Sequence, residues 1–222
     1  MKLVHPNIET HIDFSKNKIY SLIVENSKEF YNLTHQLYKQ VNVGEDVGQW
    51  VLSNNKILNI AKTTLFIYDY YNIDFNSKKI QTLITNEVES VANANDLHFN
   101  ISQINTLISQ INEVIFENID IPLTSDFEFC LADLIKLSAY KINKENDFLN
   151  SIHTYVDIFQ KLKNIELVVF VNLFSVLEQE EIENLLKQLK YMNINVLMID
   201  GFDKYNLKNV EKIIIDNDLC VI

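Results

Sequence analysis

The chain of 222 residues contains no arginine, and all its formal positive charge rests on 19 lysines. Arginine is the forked donor that most often reads guanine edges, so its absence leaves lysine-to-phosphate contact, which is blind to sequence, as the form any DNA binding would take. Cysteine is almost missing. Cys130 and Cys220 stand far apart, with no zinc spacing and no disulfide framework, and their apolar neighbours predict buried, reduced thiols. Glycine and proline number 3 and 2, a scarcity that excludes disordered and collagen-like classes and leaves a globular, helix-rich protein. Long apolar runs are missing too. The longest, Leu167 to Val171, is too short to span a bilayer, and MKLVHPNIETHIDF lacks the charged start and apolar stretch of a secretory signal. These absences predict a soluble cytoplasmic protein without a membrane partner.

A further absence is local. No positive side chain occurs from Ile80 to Ile135, while the same 56 residues hold nine carboxylates: Glu87, Glu89, Asp96, Glu113, Glu117, Asp120, Asp126, Glu128 and Asp133. The net charge of −11 opposes a polyanionic partner on average, because such affinity comes from cations that displace condensed counterions. Distribution matters more than the sum. Lysines able to meet a polyanion must lie before or after this stretch.

What is present reads as an interrupted α/β pattern. The segment Lys18 to Val24 is a buried strand, and Glu25-Asn-Ser27 opens a helix whose stripe is Phe30, Leu33, Leu37 and Val41. From Glu166 to Asp200 the strand LVVFVN, the helix LEQEEIENLLKQLKYM and the strand NVLMID follow in turn, a crossover that points to parallel pairing with helices on the faces. Lys212–Asp216 and Leu219–Ile222 are further short strands. Trp50 to Tyr71 alternates strands and turns, with Asn54-Asn55 as a hairpin tip and TLFIYDYY as a strand.

After Asn76 or Ser77, either of which can cap a helix, the period turns helical. Ile80, Leu83, Ile84, Val88 and Val91 form one stripe. Ile101, Ile104, Ile108, Ile111 and Ile115, widened by Leu107 and Val114, form a heptad-like face that seeks a partner helix. Pro122 breaks the run, Asp126–Tyr140 predicts a shorter helix, and Asn150–Leu162 predicts one returning to the sheet.

Catalytic signatures are wanting. The first strand-to-helix turn reads VENSKEF, so Lys28 lacks the GxxxxGK[ST] frame whose amides would cradle phosphate. Gly44 and Gly48 serve turns. The five histidines have no one-turn pair for a metal, and no serine sits in a nucleophile elbow. One acidic cluster remains: Glu117, Asp120, Asp126 and Glu128 surround a helix end, a proline and a turn. Hard oxygen ligands of this kind suit calcium better than zinc, although the spacing is not that of an EF-hand and a solvated acidic turn has the same composition.

In chain order, KIYSLIVEN, KILNIAKTTLFIYDYYNIDFNSKKI, IFENID before LADLIKL, and LVVFVNLFSVLEQEEIENLLKQLKYMNINVLMID resemble the family of small type II-A CRISPR-associated proteins that take part in spacer acquisition. The resemblance runs from about Lys18 to the C-terminus. It implies an α/β fold: a mostly parallel sheet head related to a degenerate phosphate-loop NTPase fold (1–77 and 146–222), with a long inserted α-helical leg (78–145). It implies a homotetrameric ring that binds double-stranded DNA ends without sequence preference and without catalysis. The CRISPR integrase complex and the effector nuclease are its implied partners, and calcium its implied cofactor. Carried over residue by residue, Glu117 matches the glutamate of the leg-end motif, and Asp120, Asp126 and Glu128 fall in the acidic turn, where Ile121-Pro-Leu-Thr-Ser125 supplies fewer acids than the family pattern.

Position singles out the DNA-contacting candidates. Lys78 and Lys79 close one flank of the acidic insert, and Lys136, Lys141 and Lys144 open the other, with Lys56 and Lys62 next. Two rival readings stay open: a metal-dependent nuclease or nucleotide hydrolase using the same carboxylates, and an oligomeric protein-interaction scaffold that does not bind DNA.

Overall fold

The structure, a computed structural model, describes residues 1–14, 19–44, 48–143 and 147–222. Lys144, Lys18 and the expected boundary at 145/146 lie outside the described residues. The chain forms two compact units: Met1–Ile73 together with Lys144–Ile222, and Asp74–Asn143.

The first unit is α/β. Strands β1 (Lys2–Val4), β2 (Ile12–Asp13) and β3 (Ile19–Val24) lead into helix α1 (Ser27–Tyr38), which a π-helical turn extends to Val43. Next come β4 (Val51–Asn54), β5 (Lys56–Ile57), α2 (Ile60–Thr63) and β6 (Thr64–Ile67). After the second unit the chain continues through α6 (Phe148–Lys163), β7 (Leu167–Val171), α7 (Gln179–Tyr191), β8 (Asn195–Asp200) and β9 (Val210–Ile215). The main sheet runs β6-β7-β8-β3-β9 and is parallel throughout. A small antiparallel sheet, β2-β1-β4-β5, lies beside it in sequence and adds Leu3 and Leu52 as facing core partners.

Parallel strands covered on both faces should read as unbroken apolar runs, and β3 and β7 are buried at every position. Alternate residues divide between the faces. Leu22, Val24, Val169, Val171, Leu197 and Ile199 join Leu33, Leu37 and Val41 of α1 and its following turn in one cluster with Trp50. The intervening set, which includes Ile23, Val168, Phe170 and Met198, turns the other way. Helices α6 and α7 bury Ile152, Val156, Phe159, Ile182, Leu185 and Leu189.

The second unit is helical: α3 (Lys78–Ala94), α4 (His98–Glu117) and α5 (Leu131–Ser138). Helix α3 buries Ile80 and Ala92, whereas α4 buries no residue. The expected isoleucine face therefore forms, but Leu107, Ile111 and Val114 on it remain about three-fifths exposed.

Several expectations shift. TLFIYDYY ends as a strand at Ile67, because the Asp69 carboxylate accepts from the Tyr71 and Asn72 amides at 3.2 Å and turns the chain. Residues 126–130 lie outside any helix, since α5 begins only where Asp133 reaches back to the Cys130 amide at 3.0 Å. Leu219–Ile222 makes a single bridge, Ile215 to Val221, rather than a strand. The thiols are a plain correction: Cys130 and Cys220 are both exposed. In this segment Phe129 takes the buried position, and the Cys130 thiol turns instead to the Asp133 carboxylate at 3.0 Å.

Candidate functional site

The lysine-free stretch has two edges in sequence, and side-chain hydrogen bonding joins them. Asn76, just before α3, donates from Nδ2 to the Ile142 carbonyl at 3.1 Å and accepts the Ile142 amide on Oδ1 at 3.0 Å. An amide side chain thus stands in for a β-bridge across 66 positions. It does so at the expense of helix capping: α3 starts after Ser77 with no side-chain cap. Lys78 and Lys79 open α3 beside one end of this clasp, and Lys141 precedes the other. All three are exposed, as is Lys136, whose Nζ lies 3.8 Å from Asp133 in the last turn of α5. Protein packed around Lys79 pushes its ammonium below the usual lysine range even though its side chain keeps solvent access. Hydrogen bonds from the Cys130 thiol and amide, ahead of the nearby Lys136, hold the Asp133 carboxyl below its ordinary value. Lys56 on β5 and Lys62 on α2 are exposed on the first unit.

The four carboxylates expected at a calcium site are placed differently. Glu117 ends α4, Asp120 follows in a bend, and Asp126 and Glu128 lie in the irregular run before α5; all four are exposed. Calcium takes six to eight oxygens. Among the described residues no group of three or more His, Cys, Asp or Glu side chains comes together to hold a metal ion. Glu117, Asp120, Asp126 and Glu128, as arranged in one chain, therefore form no such group among the described residues.

In the first unit, the carboxyl ends of the parallel strands form the crevice where open α/β sheets take ligands. At the β3–α1 junction the helix amides that a phosphate would need are already engaged. The Asn26 side chain accepts from the Lys28 and Glu29 amides at 3.1 Å each, and its Nδ2 donates to the Asn217 carbonyl at 3.0 Å. The turn that reads VENSKEF is therefore a capped helix start, not a phosphate cradle.

At the end of β8, Asp200 is completely buried. Its Oδ1 accepts the Phe174 amide at 2.9 Å, and its Oδ2 has no partner among the described residues. Burial pushes the carboxyl up to about 7, against the pull of the Phe174 amide. Buried Tyr70 donates to the Val171 carbonyl at 3.0 Å, and burial together with the Asp200 charge raises it well above the usual phenol range. Nothing in the spacing of LMIDGF announced this carboxyl. The signal available was a charged residue closing the apolar run Val196–Ile199. Sequence reasoning also passed over Lys187, Lys190 and Lys208, which line a groove of about 340 Å³ with Glu183; the first two sit three apart on α7, on one helix face.

A family model of CRISPR-associated proteins, Cas_Csn2, matches residues 42–219. The chain belongs to that family. The match covers both units, including the clasp residues Asn76 and Ile142, the acidic run and the segment from α6 to β9. This family member accordingly has a CRISPR-associated role in antiviral defence. Among its described residues no helix is long and apolar enough to cross a membrane.

Proposed function

We propose that this Cas_Csn2 family member is a non-catalytic protein that binds double-stranded DNA ends without sequence preference and acts in CRISPR spacer acquisition. It works as a homotetrameric ring alongside the CRISPR integrase complex and the effector nuclease. The observation that carries the reading is the Asn76–Ile142 clasp. It ties the segment that opens with Lys78 and Lys79 to the one that holds Lys141, across a stretch, Ile80 to Ile135, that carries only negative charge. Cations without arginine hold phosphates and leave base edges unread. The capped β3–α1 junction supports a head without nucleotide chemistry, as a degenerate relative of phosphate-loop proteins would have. Assembly draws support from the uncovered face of α4, which a second copy would bury.

Calcium is assigned no step, since no three carboxylates come together among the described residues. Binding is therefore measured with calcium and with chelator; a requirement for calcium would point to ligands that only assembly completes. Linear duplex is expected to be retained, with an affinity that falls steeply as salt rises, while closed circles of the same sequence bind poorly. Charge reversal at Lys78, Lys79 and Lys141 should abolish retention and leave the assembled mass unchanged. Equal retention of circles sinks threading onto ends. Turnover of DNA or ATP that vanishes in Glu117→Gln would favour the hydrolase reading instead, and assembly without any DNA retention would favour the scaffold.

A further inference from the structure

Between α1 and the carboxyl ends of β6 and β7 lies a cavity of about 340 Å³, walled by Tyr31, His35, Tyr38, Phe66, Tyr68 and Asn172. Its size and aromatic lining are those of a small-ligand pocket, and it occupies the edge of the parallel sheet at which α/β proteins take ligands. The rings are ordered against one another. Tyr31 and His35 lie nearly parallel, with centroids 5.0 Å apart and planes inclined by 14°. Tyr38 meets Phe66 and Tyr68 edge-on at 6.0 and 5.3 Å. Tyr31 is 59% exposed and Tyr68 53%, so both rings keep surface open to a ligand. The Thr34 hydroxyl is already committed to the Phe30 carbonyl at 2.7 Å. Among the described residues no lysine and no glycine lines the cavity, so it lacks the ammonium groups and glycine-rich backbone that cradle a phosphate, while its rings offer a stacking partner to a flat ring.

The cations are found on the same helix face. Along α1 and its following turn, Lys28, Tyr31, His35 and Lys39 recur at steps of three and four, which puts a cation, two rings and a cation on one face. Interleaved cations and rings are the layout on which unpaired nucleotides bind, with bases stacked on the rings and phosphates at the cations. We propose that this pocket holds a nucleobase, stacked against Tyr31 and edged by Tyr38 and Tyr68, with Lys28 meeting the phosphate of the same nucleotide. Stacking accepts any base. Resting on the DNA-end reading, the inference gives the pocket the unpaired base of an overhang or frayed end; a free nucleotide carries the same chemistry. A proline-rich peptide also fits aromatic grooves, but it offers neither a flat ring for the Tyr31–His35 stack nor an anion for Lys28.

The test uses the whole chain and 2-aminopurine, whose emission is quenched on stacking. One probe carries it within a three-nucleotide 3′ overhang on a duplex bearing a distant anisotropy label. The other is the free deoxyribonucleoside 5′-monophosphate. Both are expected to be quenched. Affinity for the free nucleotide should fall roughly tenfold in Tyr31→Ala, fall also in His35→Ala, and stay unchanged in Tyr191→Ala, an exposed ring on α7. Circular dichroism checks that each variant folds. If the duplex is retained but neither probe is quenched, the pocket is overturned and the DNA-end reading stands. If no duplex is retained yet the nucleotide shows Tyr31-dependent quenching, the pocket stands as a free-nucleotide site and the DNA-end reading falls. Quenching that survives Tyr31→Ala, or saturation by a proline-rich peptide without any nucleotide response, overturns the proposal.

Discussion

Strand β7 buries all five of its residues, whereas helix α4, four times as long, buries none of its twenty. The contrast does not come from hydrophobicity, since α4 carries five isoleucines in a regular stripe. It comes from the supply of neighbours. Each inner strand of the main sheet has a strand on either side and helices over its faces, while much of the α4 stripe meets solvent. The α/β unit therefore draws its stability from within one chain. The helical unit leaves much of its apolar stripe in solvent.

The sharpest way to break this comparison is to hollow out the sheet. Phe170→Ala in β7 should cost about 5 kcal/mol in urea unfolding, because the ring is wholly enclosed and its neighbours cannot collapse into the gap. Next in size is the buried Asp200. Its carboxyl titrates near 3.8 when unfolded and at about 7 when folded, so the folded state keeps a proton that the unfolded chain has released. Stability should therefore fall as pH rises from about 4 to about 7, by roughly 4 kcal/mol, and level off above that. Asp200→Asn keeps an acceptor for the Phe174 amide and cannot ionise, so its melting temperature should be flat across that window and exceed the parent's at pH 8.

In the helical unit the expected effects are smaller. Asn76→Ala removes both hydrogen bonds to Ile142 and should cost about 1–2 kcal/mol locally, read as faster exchange of the Ile142 amide with little change in global unfolding. Smallest is Ile111→Ala, with under ~0.5 kcal/mol expected in the unassembled chain because the side chain is 60% exposed. Ile111→Glu should leave that stability alone but disperse assemblies in light scattering. If Ile111→Ala cost as much as Phe170→Ala, the contrast between the units would disappear.

How much was legible follows the range of the interactions. Strands β3, β7 and β8 and helices α1 and α7 were readable because apolar runs and helical stripes are local patterns. Strand β1 was not: Lys2–Val4 is three residues long and gains its meaning only from pairing with β4. The cysteines were misread because apolar neighbours in sequence do not fix which way one side chain turns. The candidate cations were legible as the borders of a charge gap, but the tie between those borders was not, since it depends on an asparagine 66 positions from its partner. The same device recurs where Gln40 pairs with the Trp50 backbone and Asn105 with that of Phe129. Amides spent in this way look, in sequence, like surface polar residues. The aromatic pocket was hidden for a similar reason, as its rings come from α1 and β6 and its floor from the end of β7.

The clasp between Asn76 and Ile142 also bears on modularity. Chain-closure entropy grows with the number of residues left loose between the ends of a loop, and here the ends of the whole helical excursion are tied to each other. To the rest of the chain, an insertion of more than sixty residues closes like a short turn. Such a module can lengthen, shorten or exchange its helices while the sheet keeps its connectivity, and a short Gly–Ser bridge in its place should leave the α/β unit able to fold alone.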